Sequence, residues 1–513
     1  MRPVKHSPRP VVAAVLIASA CLLVPGRGAP VLLARQQPPA VVRAASGVEA
    51  SVARLRQLVP ALMDQAAVPG AQIAVFGRSG GVGYASFGLA NADTRAPVTD
   101  ASVFEAASLS KPVFAYAVLT LADEGLIDLD TPISKYLPGR YDVGDDARLD
   151  LITPRHVLSH CTGFPNWRPA NDALKIHFAP GERFSYSGEG FVYLAAAVER
   201  ITGQTLEAFM RRTVFEPLGM TSSSYVWQSR YEALKVYNHG LMGEPAGRRM
   251  PWRANAAASL HTTAGDYARF VSAVLTGRGL RAATARQMLT PRSRPDERGI
   301  NTATAPPTGK SAAGLAWGLG WGLEQEGEAW SLWHWGDNGT TKAYVAASPA
   351  RSVGIVLFAN SENGLLLAPP IVAEVMGGPS PALAWLKQRG PTPAFGAFVS
   401  TLRGAGAGEA LSQYRAARAS APAEPPIDED TMNRVGYVLL RGKKTADAIE
   451  VFRQNVTDHP DSWNVHDSLG EAYAADGKID LAIQSYERSL ELNPGNTGGA
   501  EALKRLRAGP RRD

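Results

Sequence analysis

The chain has 513 residues, 45% hydrophobic and 19% charged, with 53 basic against 47 acidic side chains and a formal net charge of +6. That length allows roughly two to four domains at about 150 residues each, and the apolar share excludes a mainly disordered chain. Two cysteines exclude a disulfide scaffold and any multi-cysteine zinc or iron–sulfur site.

Where the positive charge sits decides what it means. Residues 1–35 carry Arg2, Lys5, Arg9, Arg27 and Arg35 and no acidic side chain, and residues 11–24 are an almost unbroken apolar run. A basic start and a short apolar run have the form of a secretory signal peptide, and the run is short for a membrane span. Ala18, Ala20, Ala29 and Ala34 offer cleavage points. The alternative is an uncleaved anchor; lipidation at Cys21 fits poorly, because Ala18 stands where leucine usually does. The expectation is export to the periplasm or the medium, with the signal as the one membrane element. Without residues 1–35 the chain has 48 basic against 47 acidic residues, so no nucleic-acid partner is expected.

After a Pro/Ala-rich linker (36–48), residues 50–62 have helical apolar spacing. Residues 70–76 and 82–88 read as strands joined by a Gly-rich turn. Helical segments dominate 110–215, residues 291–308 read as a polar surface loop, and 343–348 with 353–359 read as a hairpin. Strands at both ends with helices between predict one sheet assembled from distant parts of the chain. Residues 379–427 are rich in Gly, Pro and Ala and read as a linker with a helical segment at 409–418. Beyond it, Gly436, Ala448, Phe452 and Pro460 recur 34 residues later as Gly470, Ala482, Tyr486 and Pro494. This period and pattern resemble the tetratricopeptide repeat over 428–508. Such repeats imply a protein or peptide partner; packing against the rest of the chain is the alternative.

Two segments compete as the nucleophile. Gly77-Arg78-Ser79-Gly80-Gly81 fits G-x-S-x-G, but that motif needs a strand turning into a helix, and the residues that follow read as a returning strand. Ser108-Leu109-Ser110-Lys111 instead leads into Pro112-Val113-Phe114-Ala115-Tyr116-Ala117-Val118-Leu119, apolar nearly all round and therefore a buried helix. Pro112 belongs to a first helical turn, so Ser108 lies at the helix start with Lys111 one turn on. A buried lysine needs a partner or a lowered pKa, and the neutral amine would accept the serine proton.

Downstream lie Ile152-Thr153-Pro154-Arg155-His156-Val157-Leu158-Ser159-His160-Cys161-Thr162-Gly163, then Tyr186-Ser187-Gly188, then His334-Trp335-Gly336-Asp337. With Ser108 and Lys111, these motifs resemble the serine β-lactamase and penicillin-binding-protein superfamily, in the branch of class C β-lactamases, D,D-carboxypeptidases and esterases, over about residues 51–377. The resemblance implies an α/β (α+β) catalytic domain over 49–378, an antiparallel sheet covered by helices plus a helical lobe, before the all-α repeats. It implies Ser108 as acyl-accepting nucleophile and Lys111 and Tyr186 as proton-transfer groups. It also implies an oxyanion hole from the N–H groups of Ser108 and Asp337, and Gly188, His334, Trp335 and Gly336 lining the substrate. Tyr186 would need the nearby charge of Lys111 to act as a base.

Two departures from the pattern stand out. Gly188 stands where asparagine is frequent, and His334-Trp335 replace the Lys-Thr that binds a substrate carboxylate in many members, with Lys342 or Arg183 as candidate substitutes. The expectation is a hydrolase of ester, amide or peptide bonds in a small acyl, peptide or ester substrate. A β-lactamase or D,D-carboxypeptidase is one alternative, and a non-catalytic cell-wall peptide receptor the other. No metal or organic cofactor is expected. His156 and His160 read as capping or core residues and the tryptophan cluster as strand packing, Trp335 excepted.

Overall fold

The computed structural model describes residues 40–77, 81–139, 141–420 and 427–508. The expected signal peptide lies outside the described residues. Helix α1, Ala40–Ala66, begins inside the stretch read as a linker.

Eight strands form one antiparallel sheet: β1 Gly70–Gly77, β2 Val82–Asn91, β3 Ala96–Pro97, β4 Leu315–Trp317, β5 Gly322–Glu326, β6 Ala329–Asp337, β7 Lys342–Ser348 and β8 Val353–Ala359. Their order is β3-β2-β1-β8-β7-β6-β5-β4, so strands from both ends of the catalytic region meet along β1 and β8, from Ala71↔Ala359 to Gly77↔Val353. All eight residues of β1 are buried, as expected for an apolar strand covered on both faces. β1 and β2 pair up to Phe76↔Val82, so the G-x-S-x-G segment joins two hairpin strands; its Arg78–Gly80 lies outside the described residues.

The period-two alternation of the strands divides two cores. Val356 and Phe358 of β8 face the helices α2, Ser110–Asp123; α3, Gly188–Thr202; and α4, Ala264–Thr276. Ile355 and Leu357 face α1 and α5, Ala368–Met376. Helix α2 is buried at Ser110–Leu119 without a break, so the Ser-x-x-Lys segment enters the centre of the domain.

The stretch read as a linker with one helix holds two long ones, α6 Pro393–Ala405 and α7 Ala407–Ser420. Phe395, Phe398, Val399 and Leu402 have the i, i+3, i+4, i+7 spacing of a buried helix face, but the surrounding Gly and Ala dilute it in composition. Gly396 lets α6 press on the end of α1, where a β-carbon would lie 2.4 Å from the Asp64 carbonyl oxygen.

The repeat helices follow: α8 Glu429–Arg441, α9 Thr445–Asp458, α10 Trp463–Ala475, α11 Ile479–Leu492 and α12 Thr497–Ala508. The recurring Gly–aromatic pairs set the spacing inside each hairpin. A β-carbon on Gly436 would lie 2.5 Å from the Phe452 ring, and one on Gly470 3.2 Å from Tyr486. The first repeat is not free of the catalytic region: Met432, Val435 and Leu439 share a core with α6, α7, Leu241 and Met242. Arg434 pairs with Glu362 across the same boundary. Phe452→Ala should therefore lower unfolding free energy by about 3–5 kcal/mol, measured by urea titration, because the fully buried ring is what separates α8 from α9.

Candidate active site

Ser108 is the middle residue of a short 3-10 turn, Ala107–Leu109, that runs straight into α2. Ala107 has φ of +48°, left-handed for a non-glycine residue, so the turn is held by its surroundings rather than by its own preference. Ser110 Oγ donates to the Ala107 carbonyl at 2.6 Å and accepts the Leu260 N–H at 3.0 Å. The Tyr225 and Tyr267 hydroxyls donate to the carbonyls of Ser110 and Leu109 at 2.7 and 2.9 Å. The turn is thereby tied to three separate segments.

Lys111 is fully buried, with Nζ 3.0 Å from Ser108 Oγ and donating to the Ala257 carbonyl at 2.9 Å. It has no ion pair among the described residues. Burial drives its pKa well below the usual lysine value, toward the neutral amine. Ser108, one turn earlier, is only half-buried and stays accessible.

Tyr186 immediately precedes Ser187, whose Oγ accepts the Gly190 N–H and caps α3. The ring lies 4.7 Å from Lys111 Nζ, and the buried hydroxyl makes no close hydrogen bond among the described residues, the Ser108 hydroxyl being its polar neighbour. Burial pushes the phenol well above its ordinary pKa, with the Ser108 hydroxyl acting weakly the other way. Desolvation acts on both groups at once, favouring the neutral amine and the protonated phenol, which runs against a charged Lys111 making Tyr186 a base.

His160 proves to be more than core filling. Its carbonyl accepts the Ser185 N–H at 2.8 Å and its Nδ1 accepts the Ser187 N–H at 3.0 Å, one bond on each side of Tyr186. Its ring stacks on Tyr186 at 4.3 Å, and its φ is +56°. His156 caps instead, closing a box with Thr153 at the start of Pro154–Leu158.

The ladder between β5 and β6 ends at Gly322↔Trp333, which leaves the last residues of β6, His334 to Asp337, with a free edge. The Ser108 turn packs against this end of the strand. Gly336 permits that approach, since a β-carbon there would lie 2.3 Å from the Ala106 carbonyl oxygen. His334 is buried, donates through Nδ1 to the Trp335 carbonyl at 2.8 Å, and is pushed down to about 3 by burial, which favours the neutral ring. Trp335 is also buried, its ring centroid 4.7 Å from that of Tyr186 and tilted against it, and both rings belong to the core on the α1 and α5 side of the sheet. Asp337 Oδ1 holds the Gly339 N–H at 2.8 Å and Lys342 Nζ at 2.5 Å. Arg183 is spent on the Thr302, Ala303 and Ala305 carbonyls, so of the two candidate cations Lys342 is the one beside the strand end.

Gly188 is not empty space. A β-carbon there would lie 2.6 Å from the Trp167 indole, which itself sits 6.0 Å from Lys111 Nζ. Trp167 thus takes the room of the expected asparagine, which only the folded chain reveals. Glu105 also escaped the sequence reading. It is buried, 3.5 Å from Lys235 Nζ, and accepts from Asn238 at 2.8 Å and Asn338 at 3.2 Å. Burial works against its charge, but Lys235, His261 and the two amides hold its pKa below the usual carboxylate range. Asn338 also donates to the Ala258 carbonyl at 3.2 Å, which links the strand end to the loop that contacts Lys111. The adjoining Glu in Phe104-Glu105-Ala106 was the only sequence signal for this cluster.

A serine against a buried neutral lysine, at the free end of an antiparallel strand, defines a serine hydrolase of the β-lactamase type. The sequence pattern of the Beta-lactamase family matches residues 55–369, and the chain belongs to that family. The tetratricopeptide repeat pattern matches residues 463–496. Penicillin-binding protein 4* of Bacillus subtilis is 29% identical over 31% of this chain and 36% of its own length. Esterase EstB of Burkholderia gladioli is 30% identical over 34% of this chain and 52% of its own. The chain thus spans between a third and about half of these two relatives. Penicillin-binding protein 4 of Amycolatopsis lactamdurans is 26% identical over 62% of this chain and 87% of its own. Among solved structures, a class C β-lactamase superposes with a TM-score of 0.53 at 22% identity over 64% of this chain and 96% of its own. The octameric penicillin-binding protein homologue from Pyrococcus abyssi gives 0.53 at 22% over 69% and 80%.

His160→Phe should keep the stacking on Tyr186 but strand the buried Ser187 N–H, at about 1–3 kcal/mol in urea unfolding. His160→Asn, which tolerates positive φ and offers an amide oxygen, should recover part of that loss.

Proposed function

We propose that the protein is an exported hydrolase of carboxylic esters and amides that works through an acyl-enzyme on Ser108. The observation that carries this is the buried, partner-poor Lys111 amine 3.0 Å from Ser108 Oγ. A neutral lysine is a base; a charged one would be an inert cation in a costly place.

Each step then has a donor and an acceptor. Ser108 Oγ gives its proton to Lys111 Nζ as the bond from Oγ to the carbonyl carbon forms. The oxyanion is held by the N–H groups of Ser108 and Asp337, typically worth about 3 kcal/mol per donor. Tyr186 passes its phenolic proton to the leaving oxygen or nitrogen and is reprotonated from Lys111, so the carbon–heteroatom bond breaks without a free anion. Water then enters, gives a proton back along the same route, and frees the acid. His160, with a hydrogen bond on each side of Tyr186, keeps the phenol aimed.

The substrate preference follows from what the pocket lacks. A neutral His334 cannot pair with a substrate carboxylate next to the scissile bond, and Trp167 replaces an amide that would orient one. Both favour simple esters and amides, and one relative is named an esterase. A second reading, a β-lactamase or D,D-carboxypeptidase, is favoured by Lys342 beside Asp337, which puts a cation near the oxyanion site. Export rests on the basic, apolar first 35 residues, and the mature N-terminus read by mass spectrometry should begin after them. The second repeat leaves Trp463, Ile479 and Leu481 exposed for a protein or peptide partner.

Labelling with a fluorophosphonate and peptide mapping should place the adduct on Ser108, and Ser108→Ala should lose both adduct and ester turnover. An unlabelled Ser108 would point to a receptor. Turnover of p-nitrophenyl esters should exceed that of nitrocefin; rapid nitrocefin hydrolysis would reverse the substrate ranking.

Lys111 also links activity to pH. Its folded pKa lies below the unfolded value, so the neutral base is present above the folded pKa and is lost as pH falls through it. Acylation rate of the wild-type enzyme, followed by labelling across pH, should therefore drop on the acid side. Between the two pKa values the unfolded chain binds the extra proton, so the native lysine costs stability there. Lys111→Met should raise the melting temperature at neutral pH while abolishing the adduct, seen by thermal scan and intact mass.

A further inference from the structure

The buried Glu105 carboxylate divides its two oxygens between different parts of the fold. Oε1 lies 3.5 Å from Lys235 Nζ and accepts from Asn238 Nδ2 at 2.8 Å, which anchors it in the body of the domain. Oε2 accepts from Asn338 Nδ2 at 3.2 Å, and Asn338 directly follows Asp337, the last residue of β6. We propose that Glu105 is a positioning residue for the reaction: acting through Asn338, it fixes the Asp337 N–H and the Ala257 carbonyl relative to Ser108. The proposal rests on the acyl-enzyme reading above, in which that N–H is an oxyanion donor.

Three observations lead there. Glu105 stands three residues before Ser108 on a held piece of chain. Phe104 and Glu105 pair with Thr262 and His261, and the Ala106 N–H donates to the Leu260 carbonyl at 2.8 Å. The carboxylate is therefore fixed to the segment that carries the nucleophile. An amide NH2 has two hydrogens, and Asn338 directs the second at the Ala258 carbonyl, 3.2 Å away. The neighbouring Ala257 carbonyl accepts from Lys111 Nζ at 2.9 Å. One side-chain amide thus ties together the nucleophile segment, the oxyanion strand and the loop that holds the lysine. The strand end also needs such a tie. The last residues of β6, His334 to Asp337, pair with β7 on one side, and the ladder with β5 stops at Trp333 on the other. The Asn338 bridge supplies the restraint toward Ser108.

The test uses the full-length enzyme with p-nitrophenyl acetate and with phenylboronic acid, whose boron takes up a serine oxygen and leaves a hydroxyl where the oxyanion would sit. Asn338→Ala should lower kcat about tenfold, leave KM within about twofold, and weaken phenylboronic acid as much as kcat. Asn338→Asp keeps the size but loses the donor, so it should be no better than Asn338→Ala. Glu105→Gln should also lower kcat, and in the Asn338→Ala background its further effect should shrink to about twofold or less. Folding is checked by thermal scan. Glu105→Gln leaves Lys235 without a counter-charge, so Glu105→Gln/Lys235→Met, neutral at both positions, takes its place in the cycle where the single variant does not fold. A folded Asn338→Ala with unchanged kcat and boronic acid affinity would overturn the proposal. So would a loss confined to KM, or effects at the two positions that multiply in full. Ester turnover that survives Ser108→Ala is a different failure, because it removes the acyl-enzyme reading itself.

Discussion

Everything in the site depends on burying a lysine that has no acid to pair with. Desolvation alone drives Lys111 toward the neutral amine, and the same desolvation keeps the Tyr186 phenol protonated. One physical cause thus moves the two pKa values in opposite directions. The arrangement is destabilising, because folding must strip water from an ammonium group or remove its proton. The apolar length of α2 and the cores on both faces of the sheet are what offset that cost.

The second constraint is backbone placement. The Ser108 turn includes a left-handed alanine, and His160 beside Tyr186 is left-handed as well. Strained backbone persists only where its surroundings over-determine it. Here those surroundings are the Ser110, Tyr225 and Tyr267 hydroxyls on one side and the paired bonds from Ser185 and Ser187 on the other. The free edge of β6 needs Gly336 for the same reason: no side chain fits between the strand and Ala106. Glu105, through Asn338, joins this strand end to the loop whose Ala257 carbonyl holds Lys111.

The C-terminal repeats join the catalytic region through a shared apolar core and the Arg434–Glu362 pair. In sequence, partner binding and packing against the enzyme stand as alternatives. The first repeat packs on the catalytic region, and the second leaves Trp463, Ile479 and Leu481 exposed. That packing also leaves a groove lined by Asp337 and Lys342 of the catalytic region and by Thr431 and Arg434 of α8.

Much of this was legible in the residues alone. The Ser-x-x-Lys segment leading into an apolar helix, the strand pairs at either end, and the 34-residue period are local patterns, and local patterns survive in sequence because helix and strand periods are backbone properties. The helix α6 was legible too, at Phe395, Phe398, Val399 and Leu402, but its Gly and Ala neighbours hid it. Other features were not in the sequence at any range. Trp167 filling the place beside Gly188, His160 holding Tyr186 from both sides, and Trp335 packing against Tyr186 each depend on segments far apart in the chain. So does the protonation state of Lys111 and Tyr186, since a pKa is set by which atoms exclude water around a group. The sequence by itself determined the family, the repeat and the candidate side chains for the chemistry. Only tertiary structure decided which of them are neutral, which way they face and what fills the space between them, because desolvation and close packing belong to neighbours in space.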